Sequence, residues 1–285
     1  MTDPTQDGGR WLVALDIDGT VLHENGHLSD AVVTAVQTAR DAGHEVTLAT
    51  GRSVAMTLPI LERLDIRPEY VVCSNGAITL RRDPDAVLGY SRFHVESFDP
   101  TEVLDTIREN LGPANYAVED EAGHYRYTGS FPEGTLDAVA SEAVEFEQLS
   151  VGLATRVVVI SPGHAIEDFL SVVERMGLHK VSYNVGWTAW LDIAPDGVNK
   201  STALERVRDL LGIPRSQVLA VGDGRNDIDM LEWASAEGRG VAMGQAPDEV
   251  VAASSEVTGT DLNDGVAGAL ALLPRNSQPH DRDDR

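Results

Sequence analysis

The stretch Leu15-Asp16-Ile17-Asp18-Gly19-Thr20 constrains this chain more than any other. It closes the first apolar run, Trp11 to Leu15, which is short and has glycines on both sides, the pattern of a buried strand. Two carboxylates two residues apart then stand just past the strand's carboxyl end. In an open α/β sheet this edge is where ligands bind. Carboxylates so close repel one another unless a cation or a proton intervenes. The competing reading is a solvated Asp-rich turn closed by Gly19, and the rest of the chain bears on the choice.

Downstream, apolar runs alternate with amphipathic stretches. Ser29-Asp30 opens a helix that Gly43 stops, Val46 to Ala49 reads as a strand, and a helix is expected from about Ser53 to Leu64. Tyr70 to Cys73 is a third strand, followed by a tight turn at Asn75-Gly76. This alternation predicts a parallel sheet. From Pro84 the pattern changes to short strands and hairpins, with helices expected over 100–111, 134–146 and 165–176, a smaller α+β region. Strand–helix order returns with Ala189 to Ile193, Asn199 to Leu211 and Val218 to Val221. The expected fold is therefore α/β: a Rossmann-like parallel-sheet core in residues 1–83 and 187–273, an inserted α+β cap over 84–186, and a disordered tail over 274–285.

Charge narrows the partners. Asp and Glu number 46 against 22 Lys and Arg, a formal net charge of −24. Residues 84–186 alone hold 17 acids against 6 bases, so the excess is spread along the chain rather than confined to a tail. Such a surface argues against nucleic acid and against anionic membranes. No apolar stretch approaches the roughly 18 residues of a membrane helix, and residues 1–10 carry no apolar signal core, so a cytoplasmic protein is expected. The single cysteine, Cys73, follows Val71-Val72 and reads as a buried strand thiol. An anionic substrate would need a local cation here, and the basic residues contain one clue. Only Lys180 and Lys200 are lysines; the other 20 are arginines. A Lys opening a helix in Gly197-Val198-Asn199-Lys200 suggests that a compact ammonium is needed there. Thr50 at the end of the second strand, followed by Gly51, offers a hydroxyl and an approachable amide to phosphoryl oxygens, or else caps the next helix.

Four fragments recur in a fixed order: Asp16-Ile17-Asp18-Gly19-Thr20, Ala49-Thr50-Gly51-Arg52, Gly197-Val198-Asn199-Lys200 and Gly222-Asp223-Gly224-Arg225-Asn226-Asp227. Together they resemble the four motifs of the haloacid dehalogenase superfamily, most closely its Cof-like branch with a class IIB cap. Asn75-Gly76-Ala77 and the segment Val241 to Ala246 extend the likeness, with Gln245 standing where the family usually has Asn. The resemblance implies a phosphatase acting through an aspartyl-phosphate on a small phosphorylated metabolite, such as a sugar phosphate. It makes Asp16 the nucleophile and Asp18 the general acid and base. Thr50, Gly51, Lys200 and Asn226 would bind phosphate, and Arg52 would touch substrate or brace the cap. Mg²⁺ would be held by Asp16, Asp223 and the Asp18 backbone carbonyl, with Asp227 orienting the metal's surroundings. In the cap, Arg126, Arg156, Tyr183 and Asn184 are chemically suited to substrate contacts, and Trp187 and Trp190 to packing or to stacking on a sugar.

Three other readings share parts of this pattern. A sugar phosphomutase uses the same aspartyl-phosphate, and a phosphometabolite sensor needs only the binding groups. Receiver domains also combine Asp, Thr and Lys, but are about half this length and place their metal-binding acids before the phosphorylated Asp.

Overall fold

A computed structural model describes residues 9–111, 113–132, 136, 140–178, 181–185 and 189–274. Lys180, Trp187 and the tail from 275 onward lie outside the described residues, as do the side chains of Tyr183 and Asn184. In chain order, the first elements are β1 (Leu12–Leu15), α1 (Asp30–Asp41), β2 (Glu45–Leu48), α2 (Val54–Leu64) and β3 (Tyr70–Cys73). A middle stretch follows with β4 (Ile78–Arg82), β5 (Tyr90–Val95), α3 (Thr101–Leu111), β6 (Asn115–Glu119), β7 (His124–Tyr127) and β8 (Ala140–Ala143). It continues through β9 (Arg156–Ile160), α4 (Ile166–Met176), β10 (Val181–Val185) and β11 (Trp190–Pro195). The chain then forms α5 (Lys200–Leu210), β12 (Val218–Gly222), α6 (Ile228–Ser235) and β13 (Arg239–Ala242). It finishes with α7 (Asp248–Ala252), β14 (Glu256–Val257) and α8 (Gly265–Leu270). Among the described residues, no helix is long and apolar enough to cross a membrane.

The chain divides into two compact units. The first comprises Met1–Ala49, Leu61–Val71 and Leu204–Arg285. Its centre is a parallel sheet in the order β14-β13-β12-β1-β2. Every residue of β1 and β12 is buried, as expected of central parallel strands made from Leu, Val and Ala with a closing Gly222. Ser29 caps α1 by accepting from the Val32 amide at 3.2 Å, and Gly43 ends that connection at φ +86°. Leu15 lies opposite Val221, and the Asp16 amide donates to the Val221 carbonyl at 3.0 Å. The carboxyl ends of β1 and β12 therefore lie side by side, and the acids following each strand emerge at one edge.

The second unit comprises Thr50–Ile60 and Val72–Ala203. It contains an antiparallel β4–β5 hairpin and a six-stranded sheet in the order β10-β11-β9-β6-β7-β8. Directly opposed residues share a face. Val118, Arg126, Val157 and Ile193 fall on one side, while Glu119, Tyr125, Arg156 and Asp192 fall on the other. The first face packs Val118, Val157 and Ile193 against Leu104, Ile107 and Phe169 of α3 and α4 in the main core of this unit.

The expected helix over 134–146 is corrected where it is described. Ala140–Ala143 is a strand that pairs in parallel with β7, with Tyr125 opposite Ser141. The outer edge of β7 offers unpaired backbone groups, and satisfying them outweighs the helix preference of Ala and Glu.

Candidate active site

In the first unit, Asp16 stands one residue past β1 and Asp223 one residue past β12. Asp227 ends the single 3₁₀ turn Arg225–Asp227 that leads into α6. All three are buried, and one carboxylate oxygen from each lies within 4.8 Å of the others. Three carboxylates this close in a dry place repel strongly, so the arrangement calls for positive charge at its centre. Hard oxygen donors crowded together suit a hard divalent cation.

The loops around the cluster are tightly specified. Gly19 sits at φ +74°, and a Cβ there would lie 2.2 Å from Asp223 Oδ2. Thr20 Oγ1 donates to Asp223 Oδ1 at 2.8 Å, so this threonine braces the second acidic loop from the first. Asp227 Oδ2 accepts from the amides of Asp223 and Gly224 at 3.0 and 2.9 Å. One acid thus folds the loop and also faces the cluster. Asn226 lies in the same turn, half-buried. The Asp18 side chain is exposed, and the three clustered carboxylates are those of Asp16, Asp223 and Asp227.

Gln245 has a role that its sequence context did not reveal. Its Nε2 donates to the Gly19 carbonyl at 2.5 Å, and its Oε1 accepts from the Asp261 amide at 3.0 Å. The longer amide therefore ties the Asp16 loop to the C-terminal segment.

Thr50, Gly51, Arg52 and Lys200 belong to the second unit. Thr50 is buried, its amide donates to the Val72 carbonyl at 3.0 Å, and its Oγ1 accepts from the Arg52 amide at 3.1 Å. Lys200 opens α5 and is fully buried. An ammonium in that position is sustained only by anionic or strongly polar neighbours. Among the cap candidates, Arg126 and Arg156 point to opposite faces of the six-stranded sheet. Arg126 takes the face that carries α3 and α4, away from Arg156.

Comparison with known proteins agrees with this architecture. A family model described as haloacid dehalogenase-like hydrolase matches residues 13–270. The chain is 28% identical over 271 residues to 5-amino-6-(5-phospho-D-ribitylamino)uracil phosphatase YitU of Bacillus subtilis, covering 91% of this chain and 96% of the relative. It is 30% identical over 261 residues to a phosphoglycolate phosphatase of Halorubrum lacusprofundi, covering 92% and 96%. Among solved structures it resembles the subclass IIB sugar phosphatase BT4131 with a TM-score of 0.76. That match has 21% identity and covers 92% of this chain and 98% of the other, a likeness of fold.

Proposed function

This chain belongs to the haloacid dehalogenase-like hydrolases, as a Cof-like member, and from that premise we propose that it is a Mg²⁺-dependent phosphatase of small phosphomonoesters. The observation that carries the reading is the buried trio Asp16, Asp223 and Asp227, the first two just past adjoining strand ends and the third in the turn that follows. Relatives of similar length are phosphatases of phosphorylated metabolites, which supports a sugar phosphate or a related compound as substrate.

In this proposal Asp16 attacks phosphorus and carries the phosphoryl group as an acyl phosphate, while the ester oxygen leaves. Asp18, exposed two residues on, gives its proton to that oxygen and then takes one from the water that cleaves the acyl phosphate. Thr50, Gly51, Lys200 and Asn226 bind the phosphoryl oxygens, and Arg52 contacts substrate. Asp16, Asp223 and the Asp18 carbonyl hold Mg²⁺, with Asp227 keeping the Asp223 loop in place. When bound, the ion supplies the charge that offsets repulsion between the Asp16 carboxylate and an anionic phosphate. Residues 84–186 form the cap and set the choice of leaving group.

Release of inorganic phosphate from a panel of metabolite phosphomonoesters tests the reading. The protein is expected to release phosphate with Mg²⁺, to fall silent with EDTA, and to recover when Mg²⁺ is restored. Transfer of the group to another sugar without net phosphate release would instead mark a mutase. Turnover that ignores EDTA would contradict the metal role.

A further inference from the structure

A buried polar network in the second unit has no part in the chemistry above. Ser74 and Asn75 are buried, and both adopt left-handed backbone angles, φ 49° and 51°. The Ser74 amide donates to the Arg52 carbonyl at 2.8 Å, and the Asn75 amide donates to the Thr50 carbonyl at 3.0 Å. The turn therefore grips the backbone of Thr50–Arg52. The Asn75 side chain also lies over Gly51, where an added Cβ would stand 3.1 Å from Asn75 Oδ1.

On their other side these residues reach the six-stranded sheet. Ser74 Oγ donates to Glu119 Oε2 at 3.0 Å, and Asn75 Nδ2 donates to Asp192 Oδ2 at 3.0 Å. Arg156 grips both Asp192 oxygens, from Nε and Nη2, at 2.7 Å each. Its Nη1 donates to Tyr125 Oη at 3.2 Å, and the Tyr125 hydroxyl donates to Glu119 Oε2 at 3.1 Å. The four sheet residues share one face and are buried. Bidentate Arg–carboxylate pairs fix geometry as well as charge. Arg156 is thus committed to Asp192 and Tyr125.

We propose that Asn75 is a positioning residue for the Thr50–Gly51 phosphate loop, held in register by the Arg156–Asp192 pair of the cap sheet. The pair then governs affinity for the phosphoryl group common to all substrates, and leaves the ranking of leaving groups unchanged. This inference rests on the phosphatase reading.

Asn75→Gly tests it, because glycine accepts the positive φ and removes only the amide. With p-nitrophenyl phosphate and a metabolite panel, KM is expected to rise in parallel for every substrate. The Ki of inorganic phosphate is expected to weaken about tenfold, as for one lost charge-assisted hydrogen bond. Ratios of kcat/KM between substrates stay fixed. Asn75→Asp places a carboxylate against Asp192, with Arg156, Glu119 and Tyr125 as the other ionisable groups of the network. Its loss relative to wild type should be deeper at neutral pH and shrink as the pH falls, when the protonated acid can donate to Asp192 again. An unchanged phosphate Ki in Asn75→Gly, or a reordered substrate ranking, overturns the inference. Should Asn75→Gly fail to fold, a pH-independent deficit in Asn75→Asp does the same. A wild-type protein that releases no phosphate from any substrate overturns the phosphatase reading and this inference together. An active wild type matched by Asn75→Gly overturns the inference alone.

Discussion

Gly19 has almost no freedom in the acidic cluster. Its φ of +74° already disfavours a side chain, and a Cβ would meet the Asp223 carboxylate at 2.2 Å. Gly19→Ala is therefore expected to cost on the order of 1–3 kcal/mol of stability and to displace Asp223. Thermal melting and Mg²⁺ titration check both effects; a variant with unaltered metal affinity would contradict the close approach. The sequence supplied Asp16, Asp223 and Gly19 because a short apolar run followed by Asp and Gly has few readings. It did not supply the work of Gln245, whose two bonds join residues 226 and 16 positions away in the chain. Asn75 was legible as a turn residue. Its tie to Asp192, 117 residues on, depends on sheet register that no local pattern encodes.

Among the elements, α5 and α6 are joined by one carboxylate whose titration is measurable. Glu205 accepts from Arg208 Nη2 at 2.7 Å, Trp233 Nε1 at 2.8 Å and Arg215 Nε at 3.1 Å. The bond with Arg208 is the main cause that lowers its pKa, from 4.5 to about 2, with burial opposing and Trp233 assisting. A depressed folded-state pKa contributes stability that is complete above 4.5 and fades as the pH falls toward 2. Glu205→Gln should lower the melting temperature at neutral pH, and the gap from wild type should close across that acidic window. Trp233 fluorescence is the probe, and a gap independent of pH would refute the assignment. Glu119 has the opposite sign. Burial raises its pKa against the pull of Arg156, so its contribution is present at low pH and is lost as the pH rises through the folded-state value. Elements with strong apolar periodicity, such as β1, β12 and α1, were legible from sequence. The strand β8 was not, because Ala-Ser-Glu-Ala pairs only where β7 offers an edge.

At the scale of the whole molecule, a net charge of −24 opposes the approach of a phosphate ester. The repulsion is long-range and is screened within about 8–10 Å at physiological salt. KM for a dianionic substrate should accordingly fall as ionic strength rises from about 0.01 to 0.15 M. A steady-state series in NaCl at saturating Mg²⁺ checks this, and a KM that rises instead would mean that local cations dominate the approach. The measurement closest to the central claim is a rapid acid quench during turnover of a phosphomonoester with Mg²⁺, followed by tryptic mass mapping. The peptide between Arg10 and Arg40 contains Asp16, and it is expected to carry one phosphoryl group in the wild-type protein and none in Asp16→Asn. Phosphate release with that peptide never modified, or turnover undiminished in a folded Asp16→Asn protein, would contradict transfer to Asp16.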